Sequence, residues 1–395
     1  MERDWLNDQD WANFREQWSF PPGVTFLNHG AFGPSPRVVR EAQTAWRDRL
    51  ESDPCRFFLR EMEAALSAAR GRLADFLGAG IDDLAFVDNA TVGMNAVAAS
   101  VSLNPGDEVL LTDHEYGAML RLWRAVCEQA GASVIQAELP RPFQDAEETA
   151  GAILQAVTPR TRLVVISHIT SPTATILPVE IVCRRARELG VPVCIDGPHA
   201  IGMLDVNLRA LDCDYYTASL HKWLSAPFGA GLLYVHPRAQ ETIQPAVRSW
   251  GHGTSGERHS WRDEFLWPGT RDPSPQLAAV AALDFLEPVG WDAFRSRTHA
   301  LAKRARERLV EVTKMEPWTP EDRHWQGSMV AVPLPPGPRR ELQDALWHEY
   351  AVQVPIVSWQ EHRLIRVSCH LYNTDADLRR LCEGLTILLA RERGS

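Results

Sequence analysis

Two short stretches, Cys194-Ile195-Asp196-Gly197-Pro198-His199 and Ser219-Leu220-His221-Lys222-Trp223, decide how this chain is read. The first is an apolar run ending in an acid and an imidazole. The second is a polar turn around one of only three lysines, with Lys303 and Lys314 elsewhere, in a chain of 41 Lys+Arg residues. Arginine fills nearly every other cationic position, so an amine retained here points to chemistry a guanidinium cannot do. An amine can lose its proton and condense with a carbonyl. Taken alone, Lys222 reads equally well as a surface lysine beside a helix cap. It is the company of Asp196, 26 residues earlier, that changes the reading.

Outward from these stretches the chain alternates strands and helices. Apolar runs at Leu84–Asp88, Glu108–Thr112, Ser133–Leu139, Leu163–Ser167, Pro192–Asp196, Asp214–Ser219 and Gly231–His236 read as seven strands. Helical periodicity fills Glu61–Phe76, Gly117–Ala130, Asp145–Val157 and Val179–Leu189. That alternation predicts an α/β fold with a mostly parallel seven-stranded sheet covered on both faces. The interval from Lys222 to Gly231 is too short for a crossover helix, so the last pair is expected to be antiparallel. Helices at Gln276–Phe285, Ala293–Val312, Glu341–Tyr350 and Asp375–Ala390, with strands at Ser328–Val332 and Leu364–Ser368, predict a small C-terminal α+β domain. The expected division is an arm at 1–25 that packs on the small domain, a large domain at 26–275 and a small domain at 276–395.

Composition bounds the function. A length of 395 residues suits one large and one small domain. A net charge of −10 with no basic patch argues against nucleic acid as the partner. The acidic N-terminus lacks an apolar signal core, and no apolar run approaches a membrane span. Seven scattered cysteines show no metal-like spacing and fit reduced thiols, so no metal and a cytoplasmic location are expected.

In a parallel sheet, ligands bind beyond the carboxyl ends of the strands. The polar residues collect there: Asn89-Ala90-Thr91 after the first strand, His114–Tyr116 after the second, Thr170 after the fourth, Asp196 and His199 after the fifth, and Ser219, His221 and Lys222 after the sixth. This pattern is what pyridoxal 5'-phosphate (PLP) needs. Lys222 anchors it, Asp196 keeps its ring nitrogen protonated, and Ser219, His221 and the helix start at Asn89–Thr91 hold its phosphate. His199 is placed for the ring hydroxyl or phosphate, and Tyr116 for stacking on the ring. Arg366, in Leu364-Ile365-Arg366-Val367-Ser368, is a charge among apolar neighbours. Such a charge needs either an internal acid or a substrate carboxylate.

These residues together resemble the class V aminotransferase family of fold-type I PLP enzymes, from about Phe26 to the final helix. The matching motifs are Pro105-Gly106-Asp107-Glu108-Val109-Leu110, Asp196-x-x-His199, Ser219-x-His221-Lys222 and Arg366-Val-Ser-x-x-x-Tyr372-Asn373-Thr374. The resemblance implies that Lys222 forms the Schiff base and that Arg366 binds the substrate carboxylate. It also implies that Gly269-Thr270 reaches the phosphate of a partner subunit, hence a homodimer. Phe26-Leu27-Asn28-His29-Gly30-Ala31-Phe32-Gly33, Asp53–Phe58 and His168–Pro178 look like the isopenicillin N epimerase-like branch, which also holds C–S lyases. Asn28 and His29 are expected on the substrate side. One departure matters: desulfurases of this class carry a nucleophilic cysteine shortly before the carboxylate arginine, and Ala351–Arg363 contains none. The expected activity is therefore PLP chemistry at the Cα of an amino acid or aminoacyl side chain. Epimerisation leads, with C–S lysis or transamination as alternatives. Inversion needs a second acid, for which Tyr116, His29 or water are the candidates. Arg56, Trp250, Arg258 and Arg271 lie in loops with no role the sequence assigns.

Overall fold

In the computed structural model, residues 4–251, 256 and 260–394 are described. Arg258 lies outside them. The strands, in chain order, are β1 (Thr25–Phe26), β2 (Leu84–Val87), β3 (Glu108–Thr112), β4 (Ser133–Ala137), β5 (Thr161–Ser167), β6 (Val193–Asp196), β7 (Tyr215–Ser219), β8 (Gly231–Val235), β9 (Met329–Leu334), β10 (Val352–Gln353), β11 (Ile356–Trp359) and β12 (His362–Ser368).

Seven of these form the large sheet, in the order β2-β8-β7-β6-β5-β3-β4. Only β8 runs antiparallel to its neighbours, β2 and β7, and the other pairings are parallel. The expected antiparallel last pair is present. The sheet is buried on both faces because its strands are apolar at nearly every position. Along β5, Val164 and Ile166 enter one core, while Leu163 and Val165 enter the other. Helices Met62–Phe76, Ala90–Ser100, Gly117–Ala130, Ala146–Gln155 and Val179–Glu188 supply the cover.

A second sheet, β11-β12-β9, is antiparallel and carries helices Trp291–Thr313, Arg339–Tyr350 and Asp375–Gly394. Its core holds Leu301, Val332, Leu346, Ile365 and Leu385. Two elements sit differently from the expected division. Helix Ser274–Leu286 places Leu277, Ala279, Ala282 and Leu283 in the large-sheet core, because its apolar face meets helices Arg37–Ser52 and Met62–Phe76. At the other end, β1 pairs with β10 and Leu27 lies in the small-sheet core. Both ends of the expected large domain thus meet a core other than the one assigned to them.

The N-terminal arm is anchored by charge and by rings. Trp11 and Trp18 pack with Leu286, Phe294, Leu371 and Tyr372. Arg297, fully buried, donates to Trp5 O at 2.8 Å, Asp8 Oδ1 at 2.6 Å and Asn373 O at 3.0 Å. A buried guanidinium with this many acceptors is a strong tether, since leaving it unpaired would be costly. Among the described residues no helix is long and apolar enough to cross a membrane.

Candidate active site

The carboxyl ends of β2, β3, β5, β6 and β7 share one sheet edge, and β8 begins at that edge with Gly231. Gly231 pairs with both Val87 and Ser219. A Cβ on it would lie 2.7 Å from Asn89 Cα, so only glycine lets the start of helix Ala90–Ser100 close against the end of β7. Asn89 caps that helix, its Oδ1 accepting from Val92 N at 3.1 Å. Ala90 N donates to Ser219 Oγ at 3.0 Å, which leaves the Ser219 hydroxyl hydrogen to be given elsewhere. Thr91 is exposed at the helix start, and His221 Nδ1 is buried with no partner. Helix N–H groups, two hydroxyls and an unpaired imidazole nitrogen suit a phosphate dianion.

Asp196 closes β6 and is buried. Burial pushes its carboxyl up, while the Lys222 amine pulls it back down. Thr217 Oγ1 donates to it at a long 3.4 Å. Lys222 is shifted the other way. Burial and then the Arg366 guanidinium lower its amine, and Asp196 raises it. His199 decides where protons sit. Trp223 Nε1 is only a donor and reaches His199 Nδ1 at 3.4 Å, so the neutral ring carries its hydrogen on Nε2. That nitrogen faces Lys222 Nζ at 3.1 Å. An amine accepts such a hydrogen, whereas an ammonium has no lone pair to do so. The geometry favours the free base of Lys222, and burial lowers the amine in the same direction, to about 7.

Arg366, on β12, is buried, and no acid pairs with it among the described residues. Its Nη1 donates to Ser171 O at 2.5 Å and Ser171 Oγ at 3.1 Å, and Nε has no partner. The alternative of an internal salt bridge is therefore not met. Two residues on, Ser368 points to the same face of the strand with its Oγ buried and unpaired. Asn28 bridges to Ser368 and leaves Oδ1 unpaired. Ser368 was not singled out in the sequence, although the alternation of β12 carries the signal.

His29, expected on the substrate side, has both ring nitrogens engaged within the protein. Its ring is fully buried, Nε2 meets Lys222 O at 2.9 Å, and Nδ1 meets Tyr372 Oη at 2.9 Å. A carbonyl accepts only, so Nε2–H donates to Lys222 O and Tyr372 donates to Nδ1. With both nitrogens occupied, His29 ties the Lys222 backbone to Tyr372 and has no free nitrogen to offer a substrate. Thr170, expected near the cofactor, is likewise bonded within the protein. Its hydroxyl is used within the turn 170–175, meeting Thr173 Oγ1 at 2.6 Å and accepting from Thr175 N at 2.9 Å.

Tyr116 precedes helix Gly117–Ala130 and is 48% exposed. Its neighbour Glu115, which sequence reasoning left aside, fixes that loop. Glu115 accepts from Thr112 Oγ1 at 2.7 Å, Ser167 Oγ at 2.6 Å and Ser167 N at 3.1 Å. Burial, with a smaller push from Asp196, raises its carboxyl to about 7 against those three donors. Thr270 lies exposed on the loop before helix Ser274–Leu286. Arg271 pairs with Asp88, Arg56 pairs with Glu61 at 2.6 Å, and Trp250 is exposed.

The residues that converge here suit PLP: an anion cradle, a buried acid and a free-base lysine at one sheet edge. A family model for aminotransferase class V matches residues 56–381. The chain belongs to that family. It is a PLP-dependent enzyme, and the expected fold class stands. The isopenicillin N epimerase of Amycolatopsis lactamdurans is 40% identical to it, over 95% of this chain and 98% of that protein. The isopenicillin N epimerase of Streptomyces clavuligerus is 35% identical, over 96% and 98%. Among solved structures, the cysteine desulfurase CsdA of Escherichia coli superimposes with a TM-score of 0.81 at 23% identity, over 97% of this chain and 99% of that one. This last likeness is one of fold.

Buried neutral imidazoles at this site make stability depend on pH. Burial holds His29 at about 3 and His168 at about 4, and His199 and His370 well below the ordinary value. The unfolded chain protonates these rings near pH 6.5, whereas the folded chain does not, so their contribution is full above that pH and drains away as pH falls. Glu115 and Asp196, with raised carboxyls, oppose this over the same range. The net expectation is a loss of stability between pH 7 and pH 5.5, because the lowered imidazoles, His221 at about 4 among them, outnumber the raised carboxyls. Urea midpoints at the two values check it, and a flat or rising midpoint contradicts it.

Proposed function

We propose that the chain is an epimerase that inverts the Cα centre of an amino acid or aminoacyl side chain, with isopenicillin N or a compound of that kind as substrate. The observation that carries this reading is a lysine held as a free amine beside a buried arginine that no acid neutralises. One group removes a proton and the other awaits a carboxylate. Full-length identity to two isopenicillin N epimerases supports the same reading.

When bound, PLP supplies a sink for the electron pair released as Cα loses its proton. Asp196 holds a proton on the ring nitrogen through its buried charge. Asn89–Thr91, Ser219 and His221 hold the phosphate. Arg366, with Ser368 and Asn28 beside it, takes the substrate carboxylate and fixes Cα against Lys222. Lys222 Nζ accepts the Cα proton once its lone pair turns from His199 Nε2–H to the substrate. A second proton delivered to the opposite face completes the inversion.

We extend the proposal to the assembly. Exposed Thr270 beside half-buried Gly269, with exposed Trp250, Phe32 and Phe228, supports a homodimer in which Thr270 meets the partner's phosphate site. Seven free cysteines support a reducing, cytoplasmic setting. A division into an arm, a large domain ending near Leu286 and a small domain fits the two cores.

The test is proton NMR of the PLP-loaded enzyme in deuterium oxide with aminoacyl substrates of both configurations. Exchange of Cα–H with inversion is the expected result. Release of pyruvate and ammonia, or conversion of the cofactor to its amine form, would replace the epimerase with a lyase or an aminotransferase. Arg366→Gln is expected to raise KM for the carboxylate substrate about 10–150-fold, the worth of a charge-assisted hydrogen bond. The same variant should leave KM for the corresponding carboxamide nearly unchanged. Equal effects on both would remove Arg366 from carboxylate recognition.

A further inference from the structure

We infer that Tyr116 is the second acid–base group, delivering a proton to Cα on the face opposite Lys222. This deepens the epimerase reading and rests on it. Sheet order supplies the first argument. Lys222 follows β7, Asp196 ends β6, and Tyr116 follows β3, which lies beyond β5 on the far side of β6. The strands that carry the amine and the phenol thus lie on opposite sides of the strand that carries Asp196, over which the cofactor ring would sit.

Arg366 supplies the second argument. It lies within electrostatic reach of both Lys222 and Tyr116. A substrate carboxylate on this guanidinium sets Cα between the two. Elimination supplies the third. His29 has both nitrogens engaged, with Tyr372 Oη and Lys222 O. His199 stands on the Lys222 side, 3.1 Å from Nζ. Both Glu115 oxygens are taken by Thr112 and Ser167. Those same bonds lock the residue before Tyr116, so the phenol starts from a fixed backbone.

The proton balance closes without an oxidant or reductant. Lys222 Nζ takes the Cα proton, and Tyr116 Oη gives its own proton to the other face of Cα. The electron pair of the broken C–H bond becomes that of the new one. The phenolate is 48% exposed and recovers a proton from water, while the lysine ammonium returns one to water. In the reverse direction Tyr116 is the base and Lys222 the acid.

Tyr116→Phe in the PLP-loaded enzyme tests this in deuterium oxide, starting separately from each epimer. Lys222 still serves the epimer whose Cα–H faces it, and nothing serves the other. The expected result is an exchange-rate ratio between the epimers that shifts by at least about 50-fold, within the range for loss of a general acid–base group. Deuterium entering the served epimer should do so with retention. Equilibrium dialysis of PLP against the variant gives a readout independent of turnover, and its affinity should change less than about tenfold, because phenylalanine keeps the aromatic ring. If exchange from both epimers falls by one factor, Tyr116 only positions the cofactor and the inference is overturned. If inversion persists at the wild-type rate, water or another group is the acid, and the inference is again overturned. A wild-type holoenzyme that exchanges no Cα–H removes the epimerase reading itself, a result separable from either outcome.

Discussion

Lys222→Ala is expected to abolish Cα–H exchange, with a loss of at least about 10⁴-fold, the upper end for removal of a general base. No other group at the site takes its place. His199 is held neutral chiefly by burial, with the Arg366 guanidinium adding to it, and its one lone-pair nitrogen faces Trp223. Lys303 and Lys314 lie on or just after helix Trp291–Thr313, and Lys303 is paired with Glu321 at 2.7 Å. The variant should also lose covalent retention of the cofactor while keeping the phosphate cradle, so PLP would bind but wash out on gel filtration. Small primary amines added to the variant should restore a fraction of exchange, because the missing function is that of an amine at a prepared position. Retention of wild-type exchange in the alanine variant would remove Lys222 from the reaction.

Asp196→Asn should lower Cα–H exchange about 10²–10³-fold, comparable to losing one preorganised electrostatic partner of a developing charge. Asparagine keeps the shape of the side chain and the contact from Thr217 but removes the negative charge. The change has a second, signed consequence. Asp196 holds the Lys222 amine up, so losing the charge lowers the pH at which Lys222 becomes a free base. The acid limb of the pH–rate profile should therefore move to lower pH even as the plateau falls. A plateau that falls with the limb unmoved would mean that Asp196 and Lys222 do not sense each other.

How much was legible in the sequence depends on the range of the interactions. The seven large-sheet strands could be read because each is a short apolar run ending in polar residues, and those ends carry Asp196 and Ser219–Lys222. Arg366 could be read because a lone charge in an apolar strand is conspicuous. Helix Arg37–Ser52 was missed because its face is sparsely apolar, with only Val39 and Leu50 buried. The two-residue strands β1 and β10 were invisible for a different reason: a pairing of Thr25–Phe26 with Val352–Gln353 leaves no local pattern. His29 was misplaced for the same cause. Nothing near it in sequence shows that Tyr372 and the Lys222 carbonyl occupy its two nitrogens. Glu115 and Ser368 became visible only once strands distant in sequence lay side by side.

The central claim is that one lysine, held as a free amine over a buried aspartate, anchors the cofactor. The most direct measurement is sodium borohydride reduction of the PLP-loaded protein, followed by mass spectrometry of its peptides. The account predicts one phosphopyridoxyl group per chain, carried by Lys222. The modification on Lys303 or Lys314, or on no lysine at all, would contradict it.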